Sequence, residues 1–315
     1  MIRTLALLLL LTTPAWAQTY PARVVEIVVP FAPGGGTDLI ARVIADRLSE
    51  SLKQRFVIIN RPGAATNIGT AAVVNAQPDG HTLLMTSISL AANPSLYRKL
   101  PFDPQTALAP IVLVANTASI LVVNPSLPVK SASELIAHLK AHPGELNYAS
   151  YGAGSGPHLA AGLFQDTTGT RMQHVPYGGG SPATIAVLRG EVQMLMAGIL
   201  AVGPLIQSGG LRPLGIAAAT RTAALPDLPT FREQGIEYVN GTWFGLLAPA
   251  NTPPAVIALL SREVNAALRS DAVRARIAEQ GAEVLGGSPE DFAKFLKEET
   301  ERLAGVIKRA NIQLD

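Results

Sequence analysis

One stretch constrains this chain more than any other: Val24-Val25-Glu26-Ile27-Val28-Val29, then Pro30-Phe31-Ala32-Pro33-Gly34-Gly35-Gly36-Thr37-Asp38, then an amphipathic run. The β-branched residues predict a strand, and Pro30 ends it because proline cannot donate to a ladder. Beyond the glycines, Leu39, Ile40, Val43, Ile44, Leu48 and Leu52 fall at i, i+3/i+4 spacing, while Arg42, Asp46, Arg47 and Glu50 take the other face. That spacing predicts a helix, with Thr37 or Asp38 as its N-cap. Phe56–Ile59 reads as the next strand, closed by the turn Asn60-Arg61-Pro62-Gly63, and Pro78-Asp79-Gly80 introduces another from His81 to Met85. Strands alternating with helices predict an α/β fold with a largely parallel sheet.

The middle of the chain repeats this layout. Ile120–Val123 is strand-like, Ser131-x-x-Glu134 is a capping box, and Leu146–Ser150 runs into Tyr151-Gly152-Ala153-Gly154-Ser155-Gly156-Pro157-His158, with Pro157 suited to N1 of a helix. Val175-Pro176-Tyr177-Gly178-Gly179-Gly180-Ser181-Pro182 follows, with Ser181 as the expected N-cap. Set beside Val29-Pro30-Phe31…Gly34-Gly35-Gly36-Thr37, it reads as the same unit and predicts two lobes of like construction. Helices are expected from Val256 to Leu268 and from Ser288 to Ala310. The apolar run Trp243–Ala248 would carry the chain back to the first lobe. Two crossings, near Asn116–Leu121 and Gly241–Gly245, predict a two-strand hinge. The expected division is 18–121 with 243–315 for lobe one and 122–242 for lobe two.

Arg3 followed by apolar Leu5–Leu11, Pro14 and Ala15-Trp16-Ala17 has the layout of a secretory signal peptide (residues 1–17) cleaved after Ala17. It is too short to span a bilayer, as is the apolar run Met194–Ile206, which reads as buried core. The chain is expected to be exported and soluble. Composition then removes whole classes. The absence of cysteine excludes disulfide scaffolds, thiolate metal sites and cysteine nucleophiles. A formal charge of +2 over 315 residues provides no basic field for nucleic acid.

The glycine-rich loops at 34–38, 152–158 and 178–181 each lead into a helix. A helix N-terminus offers unpaired N–H groups and about half a positive charge, and glycine lets a ligand reach the backbone. Facing across a cleft, such loops make an anion site that needs no lysine; taken singly, each also serves as a tight turn. A few charge-assisted bonds at ~1.5–3 kcal/mol supply much of the ~8 kcal/mol of a micromolar complex. No phosphate-loop or dinucleotide fingerprint occurs, and no serine sits in Gly-x-Ser-x-Gly. His138 and His142 share a helix face without the glutamate of a zinc protease. His158, beside a glycine loop, is the histidine with a plausible ligand-side place, and His174 reads as structural. Asp38 beside an anion site repels the ligand unless its oxygens cap the helix or tie down a loop. Trp243 and Phe244 are either strand core or pocket wall.

Several of these stretches resemble a known family. Pro-Phe-Ala-Pro-Gly-Gly-Gly-Thr-Asp at 30–38, Asn-Arg-Pro-Gly-Ala at 60–64, Asn-Tyr-Ala-Ser-Tyr-Gly at 147–152, His-Val-Pro-Tyr-x-Gly at 174–179, Trp-Phe-Gly-Leu-Leu-Ala-Pro at 243–249 and Gln-Gly-Ala-Glu at 280–283 look like the tripartite tricarboxylate transporter solute receptors, or Bug proteins. The resemblance covers the mature chain in order. It implies a two-lobed, type II-like periplasmic binding protein, monomeric and cofactor-free, that closes on a small organic carboxylate for membrane permease subunits. The implied ligand contacts in the first lobe are Phe31, Pro33, Gly34, Gly35, Gly36, Thr37, Asp38 and Ser87. In the second lobe they are Ser150, Tyr151, Gly152, Gly154, Ser155, His158, Tyr177 and Ala197. No metal site and no catalytic residue are implied.

This chain departs from many members in having Ala197-Gly198 in place of an acidic or amide residue, and Gly178 in place of Lys or Arg. Both changes make the second lobe's wall less polar, so an ammonium-bearing amino acid is expected to bind poorly. The alternatives are an enzyme using His158 with a loop serine, and a receptor that presents its ligand to a sensor kinase.

Overall fold

The computed structural model describes residues 20–222 and 224–309; the expected signal peptide and its cleavage site lie outside the described residues. The chain begins with strands β1 (Val25–Val29), β2 (Phe56–Asn60), β3 (Thr82–Ser87) and β4 (Leu108–Ala118). It continues with β5 (Ile120–Val123), β6 (Asn147–Ser150), β7 (Gln173–Pro176), β8 (Met194–Ala197) and β9 (Arg212–Ile216), and ends with β10 (Gly241–Pro249) and β11 (Ala282–Val284). One sheet has the order β11-β4-β10-β3-β1-β2, the other β7-β6-β8-β5-β9. The chain therefore leaves the first sheet at Ser119 and returns at Asn240. These two residues are tied together, since Ser119 N–H donates to Asn240 O at 3.1 Å, and Ala217 bridges both through its own backbone.

The sheets are mixed, which corrects the expectation of a largely parallel arrangement. β1 runs parallel to β2 and β3, and β6 to β7 and β8, but β10 is antiparallel to β3 and β4, and β5 is antiparallel to β8 and β9. A strand that crosses directly into the other lobe has no helical crossover to reverse it, so antiparallel pairing follows.

The helices are α1 (Gly36–Leu52), α2 (Asn67–Val74), α3 (Ser89–Leu96), α4 (Ala132–Ala141), α5 (Gly156–Thr168), α6 (Gly180–Leu188), α7 (Ile199–Gln207), α8 (Pro254–Leu268), α9 (Asp271–Glu279) and α10 (Pro289–Arg309). They cover both faces of each sheet. Val25, Ile27 and Val29 pack with Ile40, Ile44 and Leu48 of α1, whereas Val28 packs on the opposite face with Leu84, Leu247 and Leu296. Burial on both faces explains why β1 is an unbroken apolar run. In the second lobe Leu121 and Val123 join Phe164, Phe231 and Tyr238, whose last two rings meet edge-on at 5.0 Å, while Ile120 and Val122 face Val187 and Leu195.

Local signals settle several ends. Ser131 Oγ accepts from Glu134 N–H at 3.1 Å, so Ser131 is the N-cap as expected, but the Glu134 carboxylate accepts from Lys130 N–H at 2.8 Å, one residue before the cap, and not from Ser131 N–H. The run 194–206 divides into β8 and α7, with the break at Gly198. No described helix is long and apolar enough to cross a membrane.

Candidate functional site

The loop between β1 and α1 is held by one carboxylate. The N-cap is Gly35 (φ −80°, ψ 166°), not Thr37 or Asp38, because Gly34 takes a left-handed turn at φ 81° and the helix begins at Gly36. Asp38, 1% exposed, is therefore the third helical residue, within the first turn. Its oxygens accept from Gly34 N–H at 3.0 Å, from Arg42 Nε at 2.9 Å and Nη2 at 3.0 Å, and from Asn60 Nδ2 at 2.9 Å. Burial by itself raises this carboxyl's pKa. The Arg42 guanidinium, the Gly34 N–H and the Asn60 amide outweigh it and hold the group below the usual carboxylate range. Asn60 also donates to Phe31 O at 3.1 Å, joining β2 to the loop. In the sequence the Asn-Arg-Pro-Gly stretch marks Asn60 only as a turn residue; its bond to Asp38 exists once β2 lies beside the loop.

The loop between β6 and α5 is held by histidines. Ser155 is the N-cap and Gly156 opens the helix, so Pro157 falls at N2, where its missing N–H costs nothing. His158 Nδ1 accepts from Gly154 N–H at 3.0 Å. Fully buried Ser150 donates to Gly152 O at 3.0 Å and meets His174 Nε2 at 2.6 Å. The rings of His158 and His174 stack at 3.8 Å, and Tyr148 stacks on His174 at 5.0 Å. Burial and the adjacent His174 ring push the His158 pKa down to about 3, and burial pushes that of His174 to about 4. Both rings are neutral at pH 7.

The third loop stands against the second. Tyr177 N–H donates to Ser150 O at 3.0 Å, and the Tyr151 ring lies over Gly180. The Tyr151 hydroxyl is buried and has no hydrogen-bond partner among the described residues. The expected cap at Ser181 is corrected to Gly179, whose φ of 143° is open to glycine. The counterpart of the loop at 30–38 is thus the loop at 150–158, not the one at 176–181.

Strand β10 brings the first two loops together. A Cβ on Gly36 would lie 3.4 Å from the Phe244 ring, and one on Gly156 would lie 2.8 Å from Thr242 Oγ1. Thr242 and Phe244 are two residues apart on one face of one strand, about 7 Å along it. The starts of α1 and α5 converge there, one from each lobe. Trp243 and Phe244 are strand core, 2% and 5% exposed. Ser87 pairs with Phe244 across β3 and β10, and buried Ala197 ends β8, where Gly198 lies against Thr117 of the first lobe.

Of the expected contacts, Pro33, Gly34 and Gly35 are exposed, and Phe31, Gly36, Tyr151, Gly152, Ser155 and Tyr177 are half-buried. Thr37, Asp38, Ser87, Ser150, Gly154, His158 and Ala197 are buried, and Asp38, Ser150, Gly154 and His158 are bonded within their own loops. Among the described residues no group of three or more His, Cys, Asp or Glu could hold a metal ion.

Two α/β lobes joined by a pair of crossing strands, with glycine-started helices from each lobe meeting at the junction, define a solute-binding protein of the two-lobed periplasmic class. Residues 40–312 match the family described as Tripartite tricarboxylate transporter family receptor, and the chain belongs to that family. It is 40% identical over 307 residues to Protein BugT of Bordetella pertussis, across 96% of this chain and 94% of that one. Among solved structures, an R. palustris protein with adipate is 38% identical, with a TM-score of 0.87 over 94% of this chain and all of that one. MatC from Rhodopseudomonas palustris, with bound malate, is 33% identical, with a TM-score of 0.83 over 91% of this chain and all of that one. The family consists of periplasmic solute receptors, not enzymes.

Proposed function

We propose that this chain captures a small organic carboxylate between its lobes, using backbone N–H groups at the starts of α1 and α5, and delivers it to a tripartite permease. The convergence of Gly36 and Gly156 on one face of β10 carries this reading. Two helix N-termini then point their partial positive charges at one place without a basic side chain. The donors are the N–H groups of Gly35, Gly36 and Thr37 on one side and of Gly156 on the other, where Ser155 N–H is already bonded to Gly152 O at 3.2 Å, with bridging waters completing the shell. Asp38, Ser150 and His158 shape these loops from behind.

The ligand's body meets a wall in which Ala197-Gly198 and Gly178 supply no charge, with the Tyr151 hydroxyl adding one polar atom. A carboxylate with an apolar or aromatic body therefore fits better than an amino acid, whose ammonium group loses its hydration without a partner. The relatives solved with adipate and malate support the carboxylate class. Export by way of the signal peptide, with cleavage after Ala17, supplies the receptor to the periplasm as a monomer.

A thermal-shift screen followed by calorimetric titration tests this with adipate, malate, benzoate-type acids, aspartate and glutamate. The expected result is a shift with acids that lack an ammonium group, since a ligand at 100 times its Kd adds about 2.7 kcal/mol of stability. Mass spectrometry should return the ligand unchanged. Tight aspartate binding would overturn the wall argument, and silence across the panel would overturn the carboxylate reading.

A further inference from the structure

The loops before α1 and α5 share one backbone design. Gly34 and Gly154 are both left-handed, at φ 81° and 74°. The N-caps that follow are both extended, Gly35 at φ −80°, ψ 166° and Ser155 at φ −71°, ψ 161°. Each helix opens on a glycine, and in each the third helical side chain accepts the N–H of the left-handed glycine at 3.0 Å. The difference is charge. Asp38 is anionic and has Arg42, one helical turn on, against both of its oxygens. The same step from His158 reaches Gly162, which offers no cation. A carboxylate at position 158 would stand unpaired beside an anion site. The groups facing His158 are the His174 ring from β7 and the Tyr148 ring from β6, both uncharged at pH 7.

We propose that His158 is a positioning residue of the ligand site, the neutral counterpart of Asp38, fixing Gly154 so that the Gly156 N–H group faces the ligand carboxylate without a negative charge beside it. This rests on the carboxylate-receptor reading above. His158 presents Nδ1 as acceptor, so its proton is on Nε2, and the stack with His174 locks the ring plane. Asparagine is the substitution that separates the two demands, because its Oδ1 takes the place of Nδ1 and carries no charge. Aspartate accepts equally well but brings the charge.

The test uses the mature chain and its variants His158→Asn, His158→Asp, His158→Ala and the double variant His158→Asp with Gly162→Arg. Adipate affinity is measured by calorimetry at pH 7.5, and the Gly154 amide is followed by NMR. The expected result is His158→Asn within about threefold of wild type and His158→Ala at least tenfold weaker. His158→Asp should be at least tenfold weaker than His158→Asn, and Gly162→Arg should recover part of that loss by rebuilding the Asp38–Arg42 pair. A merely structural role would move His158→Asn and His158→Asp together. Equal affinities for those two variants, or wild-type affinity in His158→Ala, overturn the proposal. If the wild type binds no adipate, adipate is the wrong ligand, and the Gly154 amide decides: an unchanged resonance in His158→Ala removes the brace and the proposal with it.

Discussion

Gly281 lies directly against Ile199: a Cβ added to Gly281 would overlap the Ile199 Cγ2. Gly281 precedes β11 in the first lobe and Ile199 opens α7 in the second, so the lobes touch here with no room for a methyl group. Thr117 Oγ1 donates to Gly281 O at 2.8 Å and fixes the segment from the other side. Gly281→Ala is also strained, because φ is +64°. The expected outcome is a wider opening between lobes that each stay folded, with ligand affinity reduced at least tenfold. Small-angle scattering and calorimetry check it, and an unchanged affinity would mean that closure does not use this contact.

Gly35→Val tests the first loop without disturbing the fold. The backbone at Gly35 suits any residue, and an added Cβ would meet only Ala32 O at an ordinary 3.8 Å. The side chain projects from an exposed N-cap. Ligand binding should be abolished with the thermal transition within about 2 °C of wild type, allowing for a small helix-cap cost. Unchanged affinity would remove this loop from the site.

Asp38→Ala removes an acceptor of four hydrogen bonds and leaves the Gly34 N–H and the Asn60 amide without it. Gly34 is exposed and Asn60 half-buried, so water replaces part of what is lost, and a loss of about 1–3 kcal/mol in denaturant unfolding is expected. Affinity should fall as well, because the loop carrying Gly35 and Gly36 loses its brace. Asp38→Asn should be milder in stability, since one oxygen remains.

Stability should decline with acid earlier than for a protein without buried histidines. His158 and His174 have pKa values depressed to about 3 and 4, below the ordinary 6.5 of the unfolded chain. The unfolded state therefore binds more protons below pH 6.5. The stability contribution is full above that pH and is lost as pH falls toward 4 and 3. For His158, 6% exposed, the slope is about 1.4 kcal/mol per pH unit. His158→Asn should flatten the stability profile between pH 6.5 and 4; an identical profile would contradict a neutral buried ring.

Much of the fold was legible because its signals are local. The strand Ile120–Val123, the N-cap at Ser131, and the long amphipathic helices near 39–52 and 289–309 each depend on periodicity and neighbouring side chains, and all form. Helices α2, α3 and α9 were not anticipated, since short segments with weak periodicity take their shape from packing. The N-caps shifted by one to three residues wherever a glycine stood nearby, because glycine decides by left-handed backbone what a hydroxyl decides by hydrogen bonding.

Residue order alone established that glycine-rich stretches lead into helices through an α/β chain, and that the chain holds no cysteine and no phosphate-loop motif. Tertiary structure alone decided which loops correspond, that Asp38 and His158 do the same work, and that β10 carries both helix starts side by side. Those relations join residues from opposite lobes or from far along the chain. Local propensity carries no record of them, since they exist only after two sheets have packed and two crossing strands have set one lobe against the other.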